Sequence, residues 1–268
     1  MTSIMSYFGN KAYVAPIVWQ AFGECHYHEP FFGSGAVYFN RPQSHLTGDY
    51  YPFEYIGDMN CSIINFMRVI KYKYEELIEL WNKFYLNEIE LYNMTKQHRQ
   101  WSVGLDMQRF AMEDTYCDPK QAMYYISMNN CGIGGAVHIS NKENQFTPVK
   151  MKTCALRSMR MGQSKSTKSE TYADILHQMF NRLRHTQVIY GDWRRVISKA
   201  IVSRPNNAVF FDPPYKGYET IYAKGCDQPL WEEVGKEAVR LYKEFGNKVI
   251  VCEYAGVHEY LVREGFIE

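Results

Sequence analysis

The chain has 268 residues, 46% of them apolar and 22% charged, which is typical of a soluble globular protein with one large domain or a core domain carrying an insertion. Its formal net charge is only +1, so any binding to nucleic acid must depend on local clusters of charge. The sequence lacks a run of about 18 apolar residues, a secretory signal, and metal-ligand spacing among its seven cysteines. We therefore expect an intracellular protein without a membrane span, metal site or disulfide framework.

Lys11 closes a polar, glycine-containing segment at residues 5–11, and a helical pattern follows at 12–23. A lysine at the start of a helix opposes the helix dipole. An anionic or π-rich ligand would explain its presence there. A solvated surface lysine is the alternative.

Residues 25–31 predict a short strand, and a turn containing Gly33 and Gly35 leads from it to an apolar helix start at 36–39. A strand, a glycine turn and a helix are typical of the first βα unit of a doubly wound fold. Tyr38 occupies the position where a dinucleotide fingerprint needs a third glycine. This favours a nucleoside-type ligand without a pyrophosphate.

A second predicted strand, at 55–57, ends at Asp58, which is 23 residues after Gly35. Doubly wound folds place the acid that binds ribose hydroxyls at about this distance. Alternatively, Asn60 caps the next predicted helix, at 61–72, and Asp58 is only a turn residue.

Residues 74–130 have a helical pattern without alternating strands, which predicts an inserted region, and residues 129–148 predict a loop and hairpin. Residues 151–169 carry no acid and five basic residues: Lys152, Arg157, Arg160, Lys165 and Lys168. A segment of this kind is either a mobile solvated loop or a surface that contacts phosphate.

After a predicted helix at 170–184, strands and helices alternate again. Strands are predicted at 187–190, 208–211 and 248–252, and helices at 194–202, 229–245 and 257–264. Four of the predicted strands end in acidic turns, at Glu29, Asp58, Asp192 and Asp212. The carboxyl ends of parallel strands lie along one edge of the sheet, where open α/β sheets bind ligands.

The turn after the strand at 208–211 consists of Asp212, Pro213, Pro214 and Tyr215. The prolines have a fixed φ and no N–H, so the turn is rigid and its carbonyls can accept hydrogen bonds. Together with the carboxylate and the flat face of the tyrosine, this suits a planar group that carries an amine. A strand-ending turn with an incidental tyrosine is the alternative.

These motifs, in this order, resemble the Dam-like (D12 class) N6-adenine DNA methyltransferases over nearly the whole chain. The matching segments are Tyr-Phe-Gly-Asn-Lys at 7–11, Glu-Pro-Phe-Phe-Gly-Ser-Gly at 29–35, Asp58, Tyr-Gly-Asp at 190–192 and Asp-Pro-Pro-Tyr at 212–215. The resemblance implies an α/β, doubly wound, mostly parallel sheet of the Rossmann-like methyltransferase type. It places the catalytic domain at 1–73 and 185–268, and an inserted, mainly helical target-recognition region at 74–184.

The family usually continues beyond its fifth strand with a final pair of strands. The sequence stops at residue 268, where that pair would begin. We therefore expect the final strand pair to be absent or truncated, which would leave strand five at an exposed edge.

The resemblance also implies the reaction, which is methyl transfer from S-adenosylmethionine to N6 of an adenine flipped out of double-stranded DNA, without a metal. The implied catalytic residues are Asp212 and Pro213, which would accept hydrogen bonds from the N6 amine, and Tyr215, which would stack on the base. The implied cofactor-binding residues are Tyr7, Lys11, Glu29, Phe31, Gly33, Gly35, Asp58, Asp192 and Asp212. The implied DNA-binding residues are Lys152, Arg157, Arg160, Lys165 and Lys168.

Two other functions stay open at this point. One is an amino-methyltransferase that acts on RNA or on a protein glutamine, and the other is a catalytically silent protein that binds DNA or the cofactor. Aspartate at position 212 favours adenine, and the large insertion favours duplex DNA. The resemblance further implies a protein of the prokaryotic or phage-infected cytoplasm, with GATC as one candidate recognition sequence and restriction–modification as one setting, but it does not specify an oligomeric state.

Overall fold

The computed structural model describes residues 11–46, 52–84, 88–131, 171–215, 230–254, 257 and 259–267. The chain divides into two compact units. The sheet unit comprises residues 14–32, 40–60 and 185–268, and the helical unit comprises residues 1–13, 33–39 and 61–184. Tyr7, the basic residues between 152 and 168, and nearly all of the predicted hairpin lie outside the described residues.

All five described strands belong to the sheet unit, together with several helices. The described elements of the helical unit are all helices. The helices are α1 (Ala15–Phe22), α2 (Ala36–Phe39), α3 (Cys61–Tyr72), α4 (Tyr74–Lys83), α5 (Glu88–Gly104), α6 (Met107–Met112), α7 (Pro119–Cys131), α8 (Tyr172–Leu183), α9 (Lys199–Val202), α10 (Leu230–Phe245) and α11 (Glu259–Arg263). The strands are β1 (His26–Glu29), β2 (Glu54–Asp58), β3 (Thr186–Tyr190), β4 (Asn207–Phe211) and β5 (Lys248–Val251).

The five strands form one parallel sheet in the order β3-β2-β1-β4-β5. The chain runs from β1 to β2 on one side of β1, and β4 pairs with its other side, so the strand order reverses next to β1. Open α/β sheets bind ligands outside the carboxyl ends of the strands at such a point. The parallel sheet confirms the predicted α/β fold class.

Burial explains why β4 contains an unbroken apolar run, from Ala208 to Phe211. All five residues of β4 are buried, as are the last three residues of β1. A parallel strand that is covered on both faces carries apolar side chains continuously instead of alternately. Within the described part of the chain, β5 is hydrogen-bonded on one side only, to β4, and it is partly exposed.

The prediction of one helix at 194–202 is wrong. The structure has a short 3-10 turn at Trp193–Arg195, followed by α9. Val196 and Ile197, which lie between these two pieces, are 1% and 2% exposed. The side chains of Val196 and Ile197 are thus buried in the core, and the predicted helix is divided at this pair.

The helical unit is built around α3, in which the ten consecutive residues from Cys61 to Ile70 are buried. Helices α4, α7 and α8 pack against α3, and α5 packs against α7. The polar residues inside this unit are hydrogen-bonded. Arg68, for example, donates to the carbonyl of Phe110 at 2.6 Å and to Asp114 at 3.0 Å. The predicted limits of the target-recognition region, 74 and 184, stay a prediction.

Candidate active site

Four of the predicted site acids lie along the carboxyl edge of the sheet. Glu29 and Asp58 are the last residues of β1 and β2, Asp192 follows β3 by two residues, and Asp212 directly follows β4. Because all the strands are parallel, these four acids share one edge of the sheet unit.

Glu29 ends the central strand in a buried position. Its side chain is 3% exposed, and Oε2 accepts a hydrogen bond of 3.0 Å from the hydroxyl of Tyr27. Both residues point to the same face of the strand because they are two positions apart. Burial, and secondarily the carboxylate of Glu29, raises the pKa of Tyr27 well above its usual value, so the tyrosine keeps its proton and remains a donor.

The segment after β1 is tied to the end of β2. The backbone N–H of Phe32 donates to the carbonyl of Gly57 at 2.9 Å. Phe31 is half-buried and packs against Trp193 and Phe211, with ring centroids 6.1 and 6.4 Å away. Phe31 is thus part of the sheet unit's core as well as a candidate wall of the cofactor site.

The two glycines that follow Phe32 have backbone conformations that favour glycine. Gly33 has φ of 50° and Gly35 has φ of 66°, both in the left-handed region. This is the local geometry expected of a turn in which the backbone itself approaches a ligand.

Asp58 ends β2 in a turn held by its own side chain. Oδ1 of Asp58 accepts a hydrogen bond of 2.8 Å from the backbone N–H of Asn60. The backbone carbonyl of Asp58 accepts from the N–H of Gly191 at 3.1 Å, which joins the ends of β2 and β3. The turn therefore fixes the carboxylate at the edge of the sheet, while its role in ribose binding stays a prediction.

Asp192 has a structural role that the sequence did not indicate. Its carboxylate accepts from the backbone N–H of Arg194 at 2.9 Å, which starts the 3-10 turn, and it forms a salt bridge with the guanidinium of Arg194. The same guanidinium reaches Glu233 on α10 at 2.7 Å. Asp192 thus organises the turn after β3, and its contact with the cofactor stays a prediction.

The Asp-Pro-Pro-Tyr turn continues directly from the buried strand β4. Pro213 is buried, and Asp212, Pro214 and Tyr215 are half-buried. The ring of Tyr215 forms a T-shaped contact with Tyr254, with a centroid distance of 5.1 Å and an interplanar angle of 73°. The sequence did not point to Tyr254, because the position of its ring depends on the pairing of β4 with β5.

Lys11 is the first described residue, and it is 9% exposed, so it is not a solvated surface lysine. It belongs to the helical unit, and α1 begins four residues later, at Ala15. Its role in cofactor binding stays a prediction.

Two features are absent from the described residues. No group of three or more histidine, cysteine, aspartate or glutamate side chains among them is arranged to hold a metal ion. None of the described helices is long and apolar enough to span a membrane.

Comparison with known proteins identifies the family. A comparison with curated protein sequences gave no match. The family model for D12 class N6 adenine-specific DNA methyltransferases matches residues 7–265, which is nearly the whole chain and includes every motif described above. The match confirms the resemblance found in the sequence. The chain belongs to the D12 class of N6 adenine-specific DNA methyltransferases, enzymes that methylate the exocyclic nitrogen of adenine in DNA.

Proposed function

We propose that this chain transfers the methyl group of S-adenosylmethionine to N6 of an adenine flipped out of double-stranded DNA, with Asp212 and Pro213 as the groups that activate the amine. One observation carries the assignment of the residues. The fully buried strand β4 ends directly in the Asp-Pro-Pro-Tyr turn, at the carboxyl edge of a parallel sheet. This is the edge where such sheets bind their ligands.

The chemistry follows from what the turn can accept. The N6 amine of adenine is a poor nucleophile, because its lone pair is delocalised into the ring. The carboxylate of Asp212 and the carbonyl of Pro213 would accept hydrogen bonds from the two N–H groups of N6, which favours a pyramidal nitrogen with a localised lone pair. Because the prolines fix the backbone that carries both acceptors, positioning and electrostatics supply the catalysis.

Several other described residues suit S-adenosylmethionine, which supplies an electrophilic methyl group when it is bound. Asp58, fixed by its turn, would accept from the ribose hydroxyls. Glu29 adds a buried carboxylate, and the left-handed Gly33 and Gly35 would let the backbone approach the methionine part. Lys11 would also contact the cofactor.

DNA binding is assigned to the inserted region at 74–184. A base within a duplex cannot reach the turn at 212–215, so the adenine must leave the helix, and Tyr215 would stack on it. Lys152, Arg157, Arg160, Lys165 and Lys168 would contact phosphates, and the predicted hairpin would contact bases. The cytoplasm of a prokaryotic or phage-infected cell is the compartment in which such an enzyme would meet its DNA.

The test is transfer of labelled methyl groups from S-adenosylmethionine to unmethylated duplex DNA, followed by digestion to nucleosides. We expect the label in N6-methyldeoxyadenosine. The variant Asp212→Ala should lose transfer while its affinity for DNA stays close to that of the wild type. Glu244→Ala is the matched control, because Glu244 is an exposed acid on α10 in the same unit.

Parallel reactions with RNA and with protein extracts separate the remaining functions. Label in RNA or in protein glutamine, with none in DNA, would contradict the proposal. Binding of S-adenosylmethionine without transfer to any substrate would indicate a silent protein. Full activity of Asp212→Ala would remove Asp212 from the mechanism and leave the family assignment intact.

A further inference from the structure

Tyr254 is a large aromatic residue just beyond the end of a strand, and much of it is exposed. It lies three residues beyond the end of β5 and is 52% exposed, whereas the aromatic residues of β4, Phe210 and Phe211, are 1% and 0% exposed. Despite this exposure, its ring is in T-shaped contact with Tyr215, at 5.1 Å and 73°. Tyr254 therefore contributes little to the core, and the contact with Tyr215 is the feature to explain.

The backbone holds the two rings together through the pairing of β4 with β5. Phe211 is the register partner of Val251, and the N–H of Cys252 donates to the carbonyl of Phe211 at 2.8 Å, which extends the pairing beyond the strands. The chain then turns, and the carboxylate of Glu253 accepts from the N–H of Tyr254 at 2.9 Å. The two tyrosines thus follow neighbouring strand ends on the edge that carries Asp212.

The geometry points to Tyr254 as a positioning residue for the target adenine: its ring holds the ring of Tyr215 in the orientation that stacks on the flipped base. This inference rests on the proposed function of Tyr215. The two prolines fix the backbone before Tyr215, but a proline ring does not fix the side-chain torsions of the residue that follows it. A neighbour in T-shaped contact restricts those torsions before the base arrives, so less entropy is lost on stacking.

The test uses the full-length protein and a duplex that carries the sequence the wild type methylates, mapped by sequencing N6-methyladenine. Four quantities are measured besides the melting temperature. They are kcat and KM for this duplex, the dissociation constant of S-adenosylmethionine, and the fluorescence gain of a duplex with 2-aminopurine in place of the target adenine, which reports base flipping without methyl transfer.

Tyr254→Ala should lower kcat/KM for DNA by roughly three- to tenfold, the range expected for one aromatic pair. The fluorescence gain should fall with it, while the affinity for S-adenosylmethionine and the melting temperature stay close to the wild type. Tyr254→Phe keeps the ring, so kcat/KM for DNA and the fluorescence gain should both stay close to the wild type. Tyr242→Ala is the matched control, because Tyr242 is 47% exposed, forms a T-shaped contact with Phe266, and lies on α10 just before the start of β5.

A double variant separates an effect through Tyr215 from an independent one. If Tyr254 acts through Tyr215, adding Tyr254→Ala to Tyr215→Ala should cause no further loss. Additive losses, wild-type behaviour of Tyr254→Ala, or losses that match the Tyr242→Ala control would each overturn the inference. If the wild type neither methylates DNA nor flips 2-aminopurine, the proposed function fails and this inference fails with it. If the wild type does both and Tyr254→Ala matches it, only this inference fails.

Discussion

Gly57 lies so close to Val196 that a Cβ atom on the glycine would come within 2.4 Å of Cγ2 of the valine, and within 3.1 Å of the carbonyl oxygen of Ile189. Gly57 precedes Asp58, and its own carbonyl accepts the N–H of Phe32. The absence of a side chain at position 57 thus allows β2, β3 and the turn after β3 to pack together next to the candidate ribose acid.

Gly57→Ala should therefore destabilise the protein by about 1–3 kcal/mol, the usual cost of overpacking a core. The measurement is the free energy of unfolding in urea. The cost should shrink in a Val196→Ala background, because the clashing methyl group is then gone. Gly104→Ala is the control, since nothing lies within 4 Å of a Cβ at that position, and it should leave stability unchanged or slightly higher. Equal costs of Gly57→Ala in the two backgrounds would contradict the clash.

The buried ion pair between Arg41 and Glu54 supports a second prediction. The two side chains are 0% and 4% exposed and meet at 2.7 Å, and Arg41 also donates to the carbonyl of Cys25. Glu54→Gln should cost about 3–5 kcal/mol in unfolding free energy, because it leaves a buried guanidinium without its counter-charge. Glu54 begins β2, far along the strand from Asp58, so the affinity for S-adenosylmethionine should be retained in the folded fraction.

The controls for this ion pair are a compensated double variant and an exposed pair. Arg41→Met with Glu54→Leu should be more stable than Glu54→Gln, because neither charge is then buried. Lys83→Ala removes an exposed pair with Glu79 and should leave the unfolding curve unchanged within error. A similar loss from Lys83→Ala and Glu54→Gln would contradict the role of burial.

We expect His98 to make the stability of the protein depend on pH. It is buried in the helical unit between Ser62, whose Oγ lies 2.8 Å from Nε2, and Gln121, whose Oε1 lies 3.1 Å from Nδ1. Burial lowers the pKa of His98 to about 4, against opposing effects of Gln121 and Asp118. The folded-state pKa is below the unfolded value of about 6.5, so stability is retained above pH 6.5 and falls as the pH drops from 6.5 towards 4, by about 3 kcal/mol in total.

Urea unfolding between pH 4 and 8 checks this expectation. His98→Gln should lower stability at pH 8, because the packing and hydrogen bonds of the imidazole are lost, but should flatten the decline between pH 6.5 and 4. His177→Gln, at an exposed histidine on α8, should leave the decline as it is in the wild type. If the decline in stability is unchanged in His98→Gln, other groups cause it. One such group is the buried His28, because burial lowers the pKa of His28 to about 4 as well.

The features that were predictable from sequence are those set by neighbouring residues. The apolar run at 208–211 was enough to locate β4 and the acid that follows it, because a strand covered on both faces needs continuous apolar residues. The Asp-Pro-Pro-Tyr turn was equally visible, since proline fixes the local backbone whatever surrounds it.

The features that were missed depend on residues far apart in the chain. The burial of Val196 and Ile197, which divides the predicted helix at 194–202, is a property of the assembled core. The contact between Tyr215 and Tyr254 requires the register of β4 and β5. The Ser62–His98–Gln121 chain likewise joins three helices, and no local pattern encodes such a contact.

The basic residues at 152–168 give the last prediction, which concerns DNA affinity. If Lys165 and Lys168 contact phosphate, changing both to glutamate should weaken binding by a similar factor on all duplex sequences. The slope of log affinity against log salt concentration should also become shallower by about one for each lost contact. Lys236→Glu is the control, because Lys236 is exposed on α10 and lies outside 74–184. Unchanged affinity of the double variant at low salt would show that the segment is a solvated loop, whereas a loss confined to the methylated sequence would indicate base contacts instead.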